Sequence, residues 1–218
     1  MVEPLPARAA PARVIVYIDG YNLYHGLKAK GWRRLYWLDL WGLGEALLKP
    51  AQTLEAVRYF TTRIKGPEPS RRRQEVYLEA IAIGRPRLSL DFGHFLEKTA
   101  ECFRCGATWP RHEEKKTDVN IACRLVEDAM DDRYDVAIVV SGDSDLVPPI
   151  ALVKRRWAAK RLIVAFPPSR FSDALKRTAH GYVAISEHSL VGAQLPDVLT
   201  NAAGFELRRP PRWAKSQE

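Results

Sequence analysis

The chain has 218 residues, 46% of them hydrophobic, which is enough for one domain with a filled core plus short additions. Lys and Arg outnumber Asp and Glu by 34 to 26, a net charge of +8 that favours a polyanionic partner over a small neutral substrate. No run approaches the roughly 18–20 apolar residues of a membrane span, residues 1–12 hold no compact apolar signal region, and three cysteines make no disulfide framework. A soluble cytoplasmic protein with reduced thiols is expected.

Residues 1–12, rich in Pro and Ala, read as a disordered leader. Arg13 to Ile18 is an uninterrupted apolar strand that ends in Asp19-Gly20-Tyr21-Asn22, and an amphipathic segment follows. Residues 23–50 are expected to be helical, with Trp32, Tyr36, Trp37 and Trp41 mostly in the core and one or two free to stack on bases. Val57–Ile64 is a strand, and Ser70 opens a helix to about Ile83 whose first turn carries Arg71, Arg72 and Arg73. The helix dipole disfavours cations there, so the cluster is either a phosphate contact or a solvated face.

Leu88–Lys98 and Thr108–Glu113 form an extended insertion, placed near 88–113, around Cys102-Phe103-Arg104-Cys105-Gly106. Cys102 and Cys105 are either half of a structural Zn²⁺ site completed by His94 and His112, or two thiols in a hairpin turn. Thr117 then caps a helix with an apolar stripe at Ala122, Leu125, Val126, Ala129 and Met130. Asp118 falls on the same stripe at the positive end of that helix, which favours its ionised form, with Asn120 beside it and Lys115 and Lys116 upstream as phosphate contacts.

Val136–Val140 is the most strongly β-branched strand and breaks into Ser141-Gly142-Asp143-Ser144-Asp145. A helix to about Ala159, the strand Arg161–Phe166, a basic helix through His180 and a short strand at Tyr182–Ile185 follow, with Ser169 and Arg170 just beyond a strand end. Strands alternating with helices predict right-handed crossovers and a three-layer α/β/α, Rossmann-like domain with a mainly parallel sheet over 13–197. Residues 198–218 are expected to be a flexible basic tail. Adjacent parallel strands would carry Asp19 and the Asp143/Asp145 pair to one sheet edge, where open α/β sheets hold their ligands. Read singly, Asp19 and Asp118 are equally well explained as helix-terminus residues.

The segments VIVYIDGYNLYHG (14–26), CFRCG with EEKKTDVNIA (101–122), SGDSDLVPPI (141–150) and LPD (195–197) resemble the NYN branch of the PIN-like nuclease superfamily, in its LabA-like or DUF88 group. That resemblance implies a ribonuclease in which Asp19, Asp118, Asp143 and Asp145, with Asn22 as polar companion, bind Mg²⁺ or Mn²⁺ against RNA. Ser141 and Ser144 then become supporting hydroxyls. One or two such ions would activate water and neutralise charge on the phosphate. A non-catalytic RNA-binding or scaffold protein of the same fold is the alternative, and the oligomeric state, a homodimer included, stays open. Gly142-Asp143-Ser144 also resembles the nucleophile block of SGNH esterases, but the Asp-x-x-His tetrad those enzymes carry late in the chain stands early here, at Asp91–His94.

Overall fold

The computed structural model describes residues 10–101 and 103–214, by backbone only over 94–100 and 109–115. Six strands form the central sheet: β1 (Ala12–Asp19), β2 (Gln52–Thr61), β3 (Leu88–Phe92), β6 (Val136–Val140), β7 (Arg161–Phe166) and β8 (Gly181–Ala184). They are all parallel and lie in the order β3-β2-β1-β6-β7-β8. The chain winds outward from β1 in one direction and from β6 in the other. Their junction is therefore the topological switch point, where a crevice opens beyond the strand ends.

Side chains alternate between two cores because successive residues of a strand face opposite ways. Val14, Val16 and Ile18 of β1 enter the core covered by α1 (Gly20–Ala29), α2 (Leu40–Ala46), α3 (Glu68–Ala82) and α7 (Glu187–Gly192). Ile15 and Tyr17 enter the other, beneath α4 (Thr117–Met130), α5 (Val147–Arg156) and α6 (Asp173–Thr178). The three-layer α/β/α architecture expected from the alternation is thus the observed one. The insertion is an antiparallel hairpin of β4 (His94–Glu101) and β5 (Thr108–Lys115), and Leu88–Phe92, expected within it, is instead the edge strand β3 of the central sheet, paired with β2.

Other local expectations are corrected too. Residues 23–50 are not one helix: α1 stops at Ala29, a 3₁₀ turn spans Arg33–Leu35, and α2 begins only at Leu40, capped by the Asp39 side chain on Trp41 N at 3.0 Å. Thr117 does not cap α4; Lys116 does, in the left-handed region at φ 76°, and Thr117 is its buried first residue. The buried stripe of α4 is Ile121, Leu125, Asp128 and Ala129, while Met130 is exposed. An acid in that stripe has a cause: Asp128 is fully buried, yet accepts from Arg58 Nε (2.7 Å) and Nη2 (3.0 Å) and from the Tyr17 hydroxyl (2.8 Å).

Residues 198–214 are not a tail either. They build a hairpin of β9 (Val198–Thr200) and β10 (Glu206–Arg208) and a 3₁₀ turn at Pro211–Trp213, with Leu199, Leu207 and Trp213 packed on the first core. Three spaced apolar side chains outweigh the Pro and Arg content that suggested disorder. Lys160, between α5 and β7, has a structural role. It is buried and donates to Asp132 Oδ1 and the Tyr134 carbonyl, both at 2.7 Å.

Two tests of this packing follow from single residues. A Cβ on Gly20 would stand 2.7 Å from the Phe60 carbonyl oxygen and from the Tyr59 ring. Gly20→Ala should therefore cost about 1–3 kcal/mol, the usual penalty of overpacking, and an unchanged denaturation midpoint would contradict this contact. His180 Nδ1 accepts from Leu162 N at 3.0 Å, which requires a neutral ring, and burial, then Lys154 and Arg161, hold its pKa below the ordinary value. The unfolded chain then takes up this proton at higher pH than the folded one. Stability is full above about pH 6.5 and falls as pH drops from there through the lowered folded value. The denaturation midpoint of His180→Asn, which keeps an acceptor oxygen, should fall less over that window. Parallel pH profiles for the two proteins would count against the assignment.

Candidate active site

Asp19 ends β1 and caps α1: its Oδ1 accepts from Asn22 N at 2.9 Å, an ordinary use of aspartate at a helix start. That cap is also the first bond of a longer lattice. Ile18 pairs with Val140 across the switch point, which sets Asp19 beside Ser141. The Ser141 hydroxyl donates to Asp19 Oδ2 (2.9 Å) and accepts from Asp143 N (3.0 Å). Asn22 Oδ1 accepts from Gly142 N at 3.0 Å, and Asp143 Oδ1 accepts from Asp145 N at 3.0 Å. Five hydrogen bonds therefore tie the two strand ends together and fix the carboxylates of Asp19 and Asp143. Asp19, Asn22 and Ser141 are buried, Asp143 is half-buried, and Asp145 is exposed.

The remaining sequence candidates fall around this lattice. Asp118, half-buried, is the second residue of α4, which packs on β1, β2, β3 and the 3₁₀ turn Ser144–Leu146. Asn120 Nδ2 reaches the Phe92 carbonyl at 3.5 Å, so the start of α4 lies at the same sheet edge, over the end of β3. Ser144 is exposed in that 3₁₀ turn and Lys116 is exposed at the α4 cap; the side chain of Lys115 lies outside the described residues. Arg71 and Arg72 are exposed at the start of α3, above the end of β2.

Arg170 is half-buried in the loop after β7. Its backbone carbon and Cβ both stand 3.0 Å from where a Cβ on Gly142 would be, so the absence of a side chain at Gly142 lets this loop close over the lattice. Ser169 before it takes a left-handed φ of 56°, the kind of strained position found at functional sites. Cys105 is an exposed free thiol; Cys102 and the side chains of His94 and His112 lie outside the described residues, so the zinc expectation does too.

The donors at the lattice are oxygens, the chemistry that hard divalent cations require. Among the described residues no group of three or more His, Cys, Asp or Glu side chains is arranged to hold an ion. Asp19 Oδ1 accepts from Asn22 N and Oδ2 from the Ser141 hydroxyl, so its carboxylate is held in a fixed orientation at the sheet edge. The residues thus fit an ion that keeps most of its water and takes one or two carboxylates, as Mg²⁺ does, rather than a stripped ion in a closed cage.

Next to the lattice, between α1 and α3, is a cavity of about 380 Å³ lined by Gly20, Tyr24, Tyr36, Tyr59, Tyr77 and Trp213 among others. His25 also faces it, and burial, Lys28 and Arg170 together lower its pKa. Burial pushes the Tyr59 hydroxyl up to about 12. The rings come from distant segments, with Trp213 supplied by the presumed tail, so no local pattern announced the cavity.

The profile of the NYN domain matches residues 13–187, most of the chain. The chain belongs to the NYN-domain family. This places it in the PIN-like nuclease superfamily, and the two strand ends of the lattice fall within the matched span. The NYN domain is 27% identical, over 232 aligned positions, to the 6-hydroxy-3-succinoylpyridine 3-monooxygenase HspA of Pseudomonas putida (strain DSM 28022 / S16). That alignment covers 87% of this chain and 72% of the Pseudomonas protein. Among solved structures it is similar in fold to a protein of unknown function from Vibrio parahaemolyticus RIMD 2210633, with a TM-score of 0.55 and 19% identity. The likeness covers 87% of this chain and 99% of that one. Among the described residues no helix is long and apolar enough to cross a membrane.

Proposed function

We propose that this NYN domain hydrolyses RNA phosphodiester bonds with Mg²⁺ or Mn²⁺ held at Asp19 and Asp143. The observation that carries the reading is the hydrogen-bonded lattice that fixes these two carboxylates, from different strands, at the switch point of the sheet. When bound, the ion would activate a water and neutralise charge growing on the phosphate. Asp19 and Asp143 are the ligands, direct or through water, and exposed Asp145 adds a third carboxylate from the same loop. Asp118, at the positive end of α4, orients the attacking water. Ser141 and Asn22 hold the ligands in place, as partners of metal ligands commonly do.

Basic side chains on the elements around the lattice support a polyanionic substrate. Arg170 on one side of the lattice and Lys116, Arg71 and Arg72 on the other contact the phosphates flanking the scissile one. RNA is the partner, and the net charge of +8 makes its binding weaken with salt. The test is cleavage of a labelled single-stranded RNA with Mg²⁺, with Mn²⁺ and with EDTA. Cleavage with either ion and none in EDTA supports the reading, and cleavage that survives EDTA overturns it.

Two observations favour other readings. The absence of a closed three-acid group among the described residues favours an RNA-binding protein without turnover; retention of intact RNA in a gel shift, with no product under any metal, would establish that. The aromatic cavity, with the pyridine substrate in the Pseudomonas relative's name, favours a small heteroaromatic substrate.

A further inference from the structure

We propose that the aromatic cavity beside the lattice receives one unpaired nucleobase of the strand whose phosphate lies at Asp19 and Asp143. This rests on the cleavage reading above and adds the form of its substrate: single-stranded RNA, with a base next to the scissile phosphate turned inward.

Position is the first argument. Gly20, which lines the cavity, directly follows Asp19, so the cavity borders the lattice. The second is shape: about 380 Å³ lies within the usual range for small-ligand sites. Its walls are rings. Tyr24 and Tyr36 have centroids 5.2 Å apart, Trp213 stands 5.8 Å from Tyr36, and Tyr77 stands 6.1 Å from Trp213. Ring faces accept any flat base and give little sequence preference.

The polar groups argue for a base rather than an apolar guest. Gln74 is locked at the cavity wall, accepting from Ile64 N at 2.9 Å and donating to the Thr62 carbonyl at 2.8 Å, and Thr61 stands near it. Such fixed groups suit the hydrogen-bonding edge of a base. Lys28 and Arg73 add positive charge at the same cavity, where a phosphate joined to the bound nucleoside would lie. Bases within a duplex are stacked on both faces and cannot enter without being flipped, so a strand whose bases are already free is preferred.

The experiment is calorimetric titration of the 218-residue protein in EDTA with AMP, UMP and ribose 5-phosphate. Both nucleotides should bind at least roughly 10-fold more tightly than the sugar phosphate, because only they carry a stacking base. Tyr36→Ala should weaken AMP by roughly 10-fold, while Tyr36→Phe keeps the ring and most of the affinity. Tyr24 is 44% exposed, so Tyr24→Ala gives a second variant whose folding is safe, and it should weaken AMP as well. Equal affinity for AMP and ribose 5-phosphate overturns the proposal, as does AMP binding unchanged by both alanine variants. Binding of nicotinate where neither nucleotide binds also overturns it and marks a small-molecule site. The titration contains no metal and reads no cleavage, so it fails or succeeds independently of the nuclease assay.

Discussion

Asp19→Asn should lower the rate of RNA cleavage by roughly 10²–10³-fold, the usual cost of removing one preorganised electrostatic group from an active site. The substitution is nearly isosteric, and asparagine serves as a helix cap about as well as aspartate, so the bond from Asn22 N survives. What is lost is the negative charge between the ends of β1 and β6. Little structural change should accompany it, and a denaturation midpoint close to that of the parent protein would show that the loss is chemical. Ser141→Ala provides the graded control. It removes the donor to Asp19 Oδ2 and the acceptor for Asp143 N while leaving both charges. Loss of such a supporting partner typically costs about 10–100-fold in metal affinity or activity. Activity recoverable at high Mn²⁺ for Ser141→Ala, but not for Asp19→Asn, is the expected pattern. Equal activity of Asp19→Asn and the parent protein would remove Asp19 from the chemistry.

Arg58→Ala should destabilise the fold by about 3–5 kcal/mol, because it leaves a fully buried Asp128 without its two guanidinium bonds. For a domain of this size that is a drop in thermal midpoint of roughly 10 °C. Tyr17, whose hydroxyl donates to the same carboxylate, is itself held neutral by burial and by the charge of Asp128. It offsets part of the loss without charge, and Arg133 Nη1, 3.7 Å from Asp128 Oδ1, is the one cation left beside it among the described residues. Replacing both partners at once, Arg58→Met with Asp128→Leu, should recover most of the stability, since an apolar pair carries no desolvation cost. A double variant no more stable than Arg58→Ala alone would show that the pair does more than cancel its own burial. Neither residue touches the lattice, so cleavage per folded molecule should be unchanged.

These two sites differ in how far the sequence announced them. Asp19 and the Asp143/Asp145 pair were legible because each follows an uninterrupted β-branched strand, and parallel strands carry their ends to one edge. Asn22 and Ser141 entered as companions only through the family resemblance, and their bonds to Gly142 N and Asp19 are local consequences of the register that brings the two strand ends together. Asp128 was not legible. It stands in a helix whose apolar stripe seemed to run through Val126 and Met130, and the partner that permits its burial, Arg58, is 70 residues away on β2. The span 23–50 misled because its helical composition continues through Asp39, whose side chain instead caps a new helix. The last segment misled in the opposite sense, since proline and arginine suggested disorder while Trp213 fits against Tyr36 and Tyr77. For Asp128 and the last segment, what the sequence withheld was a long-range contact, which periodicity and composition do not encode.

The most direct measurement is a crystal structure of the protein soaked in Mn²⁺ with anomalous diffraction recorded. The account predicts a Mn²⁺ peak bridging, directly or through water, the carboxylates of Asp19 and Asp143, and its disappearance in Asp19→Asn. A peak bound elsewhere, or none under conditions where Mn²⁺ supports cleavage, would contradict it.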